Sequence, residues 1–162
     1  MRKFLSQRNK IPATCAIILL SLAGCLSVRE APSVISYSVE EVNVWCDFMP
    51  GVKPSLHAQM LVNITNMSPD SIRLFEFTGS IFDITGYPLR RFTVHAYYEG
   101  NRVREISLPP ADSLQLDLRS IRDVPPIDVE RFHTVSYSVV CRTSLNGIVI
   151  LRADSIQVFT TQ

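Results

Sequence analysis

Histidine is scarce in this sequence, and its spacing excludes the usual zinc-binding motifs. The three imidazoles, His57, His95 and His133, are 38 residues apart in both intervals. Histidine metal sites usually include a close pair such as H-x-H or H-x-x-x-H, because neighbouring ligands then reach the same ion. We therefore predict no metal site and no cofactor, and we expect the histidines at the surface or at strand ends.

Short catalytic motifs are absent as well. The sequence contains no G-x-S-x-G elbow, no phosphate-binding P-loop and no C-x-x-C pair. Adjacent Glu40 and Glu41 point to opposite faces of a strand, and Asp83 in IFDITG is explained by hydrogen bonds within its own turn. We expect a non-catalytic binding or assembly protein. The alternatives are an envelope enzyme that assembles His95, Asp83 and distant loop residues, and a structural subunit of a secretion or surface-appendage complex.

Charge of neither sign dominates the chain. It has 16 Lys and Arg against 15 Asp and Glu, and four of the basic residues lie in the first ten positions. Without residues 1–24 the balance is 12 basic against 15 acidic residues, a net charge of −3. Binding to nucleic acid requires a strongly basic surface, so we expect no nucleic-acid partner.

Long apolar runs are limited to one segment near the start. Residues 11–28 carry no charge and follow a basic segment, MRKFLSQRNK. This order is typical of an export signal. Eighteen uncharged residues are at the lower limit for a membrane-spanning helix, and polar and small residues dilute them. A cleaved signal is therefore favoured over a permanent span.

The tetrapeptide LAGC at positions 22–25 resembles the lipobox of bacterial lipoproteins. In that family a branched apolar residue and two small residues precede an invariant cysteine. The resemblance implies that residues 1–24 are removed as a lipoprotein signal peptide and that Cys25 carries a diacylglyceryl thioether. Each buried methylene contributes about 0.8 kcal/mol, so two or three acyl chains hold a protein stably. An ordinary signal peptide, or a chance cysteine, is the alternative.

The residues around Cys25 also predict the cellular location. Leu26, rather than Asp, comes after the cysteine, which resembles an outer-membrane address in the sorting rule of enteric bacteria. We expect a protein held at the outer membrane through its N-terminal lipid, facing the periplasm, with another envelope protein as its partner. Residues 25–36 have no periodicity and predict a lipidated tether, which leaves 37–162 as the folded domain.

Two cysteines remain once Cys15 leaves with the signal and Cys25 is lipidated. In an oxidising compartment, Cys46 and Cys141 predict a disulfide. Both fall on the inward faces of their predicted strands, as an inter-sheet bond requires. Closing a loop of this length contributes about 4.6 kcal/mol in the chain-entropy model. The alternative is two small buried hydrophobes that never meet.

From position 37 onward, apolar residues alternate with a period of two, and no window has the helical period of 3.6. The pattern predicts an all-β domain, a two-sheet immunoglobulin-like sandwich of about eight strands. The likeness to antibody domains is loose, because Trp45 adjoins the first cysteine instead of lying between the two. The strands are expected at 42–48, 56–64, 71–86, 92–98, 102–108, 114–118, 135–141 and 148–159.

Glycines mark three expected irregularities in these strands. Gly100-Asn101 and Asn146-Gly147 predict two-residue hairpin turns, the second of type I′, which needs positive φ at both positions. Gly79 predicts a bulge or bend where its strand changes facing.

Part of the domain resembles a known family. Between positions 56 and 118, the segments VNITNMSPDSI, IFDITG and LPPADSLQLDL are similar to sandwich domains of the FxLYD and desiccation-related LEA type. The resemblance implies an immunoglobulin-like fold with no common catalytic activity. It also implies that Asn66, Ser68, Asp83 and Gly86 shape turns.

The hairpin over 92–108 carries the predicted binding surface. Pairing across Gly100-Asn101 places Arg104 opposite Tyr97 and Ile106 opposite His95. An aromatic, aliphatic and Arg mixture is the composition of protein-binding surfaces. The alternatives are the core face of the second sheet, or an edge guarded by Arg. The face consists of His95, Tyr97, Arg104, Ile106 and Leu108.

Overall fold

The computed structural model describes residues 34–161, which form nine β-strands. Within this range there is no helix, and therefore none that could cross a membrane. The all-β prediction is confirmed. The strands are β1 (Ile35–Asp47), β2 (Ser55–Asn66), β3 (Ile72–Phe82), β4 (Pro88–Tyr98), β5 (Asn101–Val103), β6 (Glu105–Leu108), β7 (Ser113–Ser120), β8 (Thr134–Thr143) and β9 (Ile148–Thr161).

Alternation along the strands separates the core from the surface. In β2, Met60, Val62 and Ile64 are fully buried, whereas the residues between them are half-buried. Successive side chains of a strand point to opposite faces, so this pattern places one face of β2 in the core. The first strand begins at Ile35, which is buried, two residues before the predicted start of the domain.

The strands form two sheets, and β4 and β9 each pair with strands of both. Sheet A has the order β5-β4-β7-β2-β1, and sheet B contains β6, β3, β8 and β9. The first half of β4 pairs with β3 and its second half with β7. The end of β9 runs parallel to the end of β1, from Val44 opposite Val158 to Asp47 opposite Thr161. Seven strands therefore close into a ring, and the structure does not confirm an immunoglobulin-like sandwich of separate sheets.

The predicted fifth strand is two strands, which raises the count from eight to nine. Glu99 and Gly100 both have positive φ, 49° and 78°, as a type I′ turn requires. The turn therefore lies one residue earlier than predicted, and Tyr97 pairs with Arg102. At Arg104 the chain leaves sheet A, and β6 then pairs with β3 in sheet B.

The β8–β9 hairpin has a longer turn than predicted. The N–H of Thr143 donates to the carbonyl of Gly147 at 2.9 Å, which encloses three residues. Asn146 alone has positive φ, 56°, among these residues. This is the three-residue hairpin with a left-handed third position, so the predicted two-residue type I′ turn is wrong.

Gly79 is required for a different reason from the one predicted. The register of β3 shifts between Phe75 and Thr78, with Glu76 at φ 54°, so the bulge precedes Gly79. A Cβ on Gly79 would lie 2.5 Å from ring carbon Cε2 of Phe92. Glycine is therefore needed where β3 and β4 approach closely.

The structure does not show the predicted disulfide. Cys46 on β1 and Cys141 on β8 are both free thiols, and both are completely buried. Burial raises the pKa of each thiol, that of Cys141 to about 11. The inward parity of both cysteines was predicted correctly, but each serves as a small core side chain, the alternative that the sequence left open.

Turn residues singled out by the family resemblance do shape loops. The side-chain amide of buried Asn66 donates to the carbonyls of Asp70, Leu108 and Pro109 at 2.8–3.0 Å. Its Oδ1 accepts from the N–H of Ser68 at 2.8 Å. Asn66 thus joins the β2–β3 loop to the β6–β7 loop, because one side chain satisfies groups of both.

Candidate functional site

The structure separates the five residues of the predicted binding surface. His95 and Tyr97 are half-buried on the outward face of sheet A, and Arg104 is exposed at the break between β5 and β6. Ile106 and Leu108 are buried in the core, 9% and 0% exposed. The prediction of one continuous face is therefore wrong, because the chain leaves sheet A at Arg104 and β6 pairs with β3 in sheet B.

His95 and Tyr97 instead belong to a broader surface across sheet A. On β7, Arg119 lies opposite His95 and Asp117 lies opposite Tyr97. Strand pairing extends these rows of outward side chains from β7 to β2 and β1. On β9, Phe159 lies opposite Trp45 of β1. We call this surface the outer face. It consists of Asn43, Trp45, His57, Gln59, Leu61, His95, Tyr97, Asp117, Arg119 and Phe159.

Its β7 side is held by a hydrogen-bonded cluster. Arg119 donates from Nε and Nη2 to Oδ2 of Asp117, at 2.9 and 2.5 Å. The amide of Gln59 donates to Oδ1 of the same carboxylate at 2.9 Å. The guanidinium carbon lies 5.0 Å from the centre of the Tyr97 ring. The hydrogen bond to Asp117 and the charge of Asp117 raise the pKa of Arg119, and together the contacts hold these side chains in one arrangement.

Aromatic rings occupy the β1 side. The rings of Trp45 and His57 stack with centroids 5.1 Å apart and an interplanar angle of 15°. Phe159 pairs with Trp45 in the parallel register and is 59% exposed. Residues in register point to the same face, so three rings form a row across β2, β1 and β9.

A Ser, His and Asp group lies at the end of this row, although it does not have the geometry of a catalytic triad. Nε2 of His57 is 2.8 Å from Oγ of Ser55 and 3.0 Å from Oδ2 of Asp47. A triad needs one ring nitrogen for the hydroxyl and the other for the carboxylate. Here both partners share one nitrogen, which cannot accept the serine proton while donating to the carboxylate.

This group has a structural role at the ends of three strands. Asp47 also accepts a hydrogen bond from the hydroxyl of Thr161. The contacts of Asp47 therefore join the ends of β1, β2 and β9, where the ring of strands closes. Outward parity of Trp45 and His57 was visible in the sequence, but their pairing depends on the register of β1 against β2.

The other residues considered from the sequence lie apart. Asp83 accepts three hydrogen bonds within its own turn, from Thr85 N, Thr85 Oγ1 and Tyr87 N, at 2.7–2.8 Å. His95 is seven residues along β4 from Pro88, at the other end of the strand, roughly 23 Å away. The structure therefore does not bring His95 and Asp83 together. His133 is exposed just before β8, and Cys25 lies outside the described residues.

Among residues 34–161, no group of three or more His, Cys, Asp or Glu side chains is arranged to hold a metal ion. The outer face therefore offers aromatic, amide and Arg groups for non-covalent contact.

No protein-family model matches the sequence, and no curated protein sequence matches it. Solved structures show distant similarity. The apo PmoF2 PCuAC domain is 16% identical over 75% of this chain and 94% of its own, with a TM-score of 0.39. A FixG-related protein from Vibrio parahaemolyticus is 10% identical over 76% and 96%, with a TM-score of 0.41. The CooA pilin subunit from enterotoxigenic Escherichia coli is 8% identical over 80% and 99%, with a TM-score of 0.36. These scores are too low for any of the three to indicate a function here.

Proposed function

We propose that the protein is a lipid-anchored lipoprotein of the cell envelope, held at the outer membrane through Cys25 and facing the periplasm. Its β domain binds another envelope protein, without catalysis, through the outer face of sheet A. In this proposal the acyl chains anchor the protein to the membrane, so the domain needs no membrane-binding surface and can present a protein-binding surface.

The composition of the outer face carries the proposal. Trp45, Tyr97, Phe159 and Arg119 share one face of neighbouring strands. Trp, Tyr and Arg are the side chains that contribute most at protein interfaces. Phe159 is the most exposed of the three aromatic side chains, so it is the residue whose burial would gain most on binding.

The extent of the face suits a protein partner. The surface follows the side of a β-sheet across five strands, well beyond the hollow of about 300 Å³ that Tyr97, Asp117 and Arg119 help to line. The Arg119, Asp117 and Gln59 cluster is already formed, so binding would order few of its side chains.

The membrane anchor is tested with Cys25→Ala in the native host. We expect loss of palmitate labelling and release of the protein from the membrane fraction. Unchanged labelling and fractionation would contradict the anchor and favour a membrane span.

The binding face is tested by crosslinking in the native envelope, followed by mass spectrometry of the adducts. We expect Phe159→Ser combined with Tyr97→Ser to remove adducts that the wild type forms at fixed positions. The matched control is Ile150→Ser, because Ile150 is 51% exposed on β9, away from these rows. Equal loss of adducts in the control, or no loss in the double variant, would argue against the outer face.

A further inference from the structure

A cleft of about 540 Å³ opens where β3 and β4 separate. Thr78 and Thr93 are the last paired residues of these two strands. Beyond them β4 turns into sheet A and pairs with β5, while β3 continues in sheet B and pairs with β6. The cleft is thus built into the topology of the fold, because a single strand serves two sheets.

Strand pairing along β4 is interrupted at this split. Pairing of β4 with β3 ends at Thr93, and pairing with β5 begins at Ala96. Val94 and His95 between them therefore have no cross-strand residue on this side of β4.

Cationic side chains surround the opening. Arg102 and Arg104 both line the cleft with His95. In the part of the chain that the structure describes, neither arginine forms an ion pair. Desolvation and the charge of Arg102 lower the pKa of His95, as expected where neighbouring positive charge is not neutralised.

One carboxylate also lines the cleft, and its charge is already paired. Glu76 Oε2 lies 3.1 Å from Nε of Arg142. Glu76 thus opposes an incoming anion less than a free carboxylate would, and two unpaired arginines outweigh it.

The geometry points to this cleft as a binding site for a small organic anion that carries a phosphate or carboxylate group. Arg102 and Arg104 would contact the anionic group, since guanidinium groups bind phosphate and carboxylate through paired N–H donors. The hydroxyls of Thr78 and Thr93 add donors at the strand split.

The lining also has an apolar part. Phe77 and Val94 are buried, and Val103 is half-buried beside them. The cleft is larger than one anionic group requires. A water molecule takes about 30 Å³, and a phosphate or carboxylate group has the size of only a few water molecules. An organic moiety resting on these side chains therefore fits better than a free inorganic ion. The cleft adjoins the outer face, because His95 belongs to both and Arg102 pairs with Tyr97.

Calorimetric titration of the purified full-length protein in detergent, at low salt and without phosphate buffer, tests this inference. The probes are inorganic phosphate, phenyl phosphate, benzoate and neutral phenol. We expect saturable binding of phenyl phosphate, benzoate or both, tighter than inorganic phosphate, and no binding of phenol. The preferred probe then distinguishes a phosphate from a carboxylate ligand.

Variants locate the site. Arg102→Gln and Arg104→Gln should each weaken binding by about fivefold or more, and Glu76→Gln should strengthen it. Arg122→Gln is the matched control, because Arg122 is exposed and lies outside the cleft. Absence of saturable binding by the wild type, or equal weakening by Arg122→Gln, would overturn the inference.

A second readout follows the imidazole. His95 faces Arg102 on β5 and Arg119 on β7, with Arg104 and Glu76 around the cleft. A bound anion favours the charged imidazole, so saturating phenyl phosphate or benzoate should raise the pKa of His95 measured by NMR. An unchanged pKa at saturation would place the bound probe elsewhere and overturn the inference.

Discussion

Trp45 and His57 stack with their ring centroids 5.1 Å apart, on adjacent strands and at the edge where the ring of strands closes. Cross-strand aromatic pairs contribute roughly 0.5–1.5 kcal/mol beyond area burial. We expect a double-mutant cycle of Trp45→Ala and His57→Ala, measured by urea denaturation, to give a coupling energy in that range. Additive effects of the two substitutions would show that the stack does not stabilise the fold.

Gly79 lies against the ring of Phe92 and Cγ2 of Val94, which a Cβ would approach at 2.5 and 2.8 Å. Gly79→Ala should therefore destabilise the domain by about 1–3 kcal/mol, because the core is overpacked. The matched control is Gly147→Ala, where the nearest atom is 3.3 Å away. Urea midpoints compare the two variants, and an equal effect would contradict the close approach of β3 and β4.

Asn66 donates from one buried amide to the carbonyls of Asp70, Leu108 and Pro109. Asn66→Ala should cost about 2–4 kcal/mol of unfolding free energy, because buried acceptors lose their donors. Asn63 donates to Glu40 at the surface, so Asn63→Ala should cost less than about 0.5 kcal/mol. Similar losses in both variants, measured in urea, would contradict the role of Asn66.

Cys46 and Cys141 should both be free and slow to react in the folded domain. Iodoacetamide in denaturant, without reductant, should alkylate both thiols, and intact mass counts the adducts. At pH 8 without denaturant, alkylation should be slow, because burial raises the pKa of both thiols and shields them. Failure to alkylate either thiol in denaturant would indicate the disulfide instead.

Asp83 should make a stability contribution that depends on pH. Hydrogen bonds from the Thr85 hydroxyl, the Tyr87 N–H and the Thr85 N–H lower the pKa of its carboxyl. A carboxyl with a lowered pKa stabilises the fold above its unfolded pKa, and this contribution is lost as pH falls through the folded pKa. Wild type should therefore exceed Asp83→Asn in stability above about pH 5, and the difference should shrink toward pH 3. Chemical denaturation at several pH values measures it, and a difference that does not vary with pH would contradict the charge effect.

Much of the fold was predictable because the period of apolar residues is a local property. Alternation in the segment that forms β2 predicts a half-buried strand, and the inward parity of Cys46 and Cys141 was correct. Turn chemistry was predictable where the side chain bonds within its own loop, as for Asp83. The position of a turn was less predictable. The β4–β5 turn lies at Glu99-Gly100 instead of Gly100-Asn101, and this displacement by one residue changes the pairing register of the hairpin by two residues.

The sites depended on which strands pair with each other. Ile106 and Leu108 have the alternation expected of a surface hairpin, yet β6 leaves β4 and buries them beside β3. The outer face and the cleft join residues from strands that are distant in sequence, and no local pattern specifies such pairs.

The sequence by itself determined that the domain is all-β and which faces of its strands are apolar, since both are read from neighbouring residues. The tertiary structure decided that β4 and β9 each join two sheets, that Cys46 and Cys141 remain separate thiols, and that aromatic rings of three strands form one row. The physical reason is that strand pairing satisfies backbone hydrogen bonds between segments far apart in the chain, so its register is selected by the packing of the whole core.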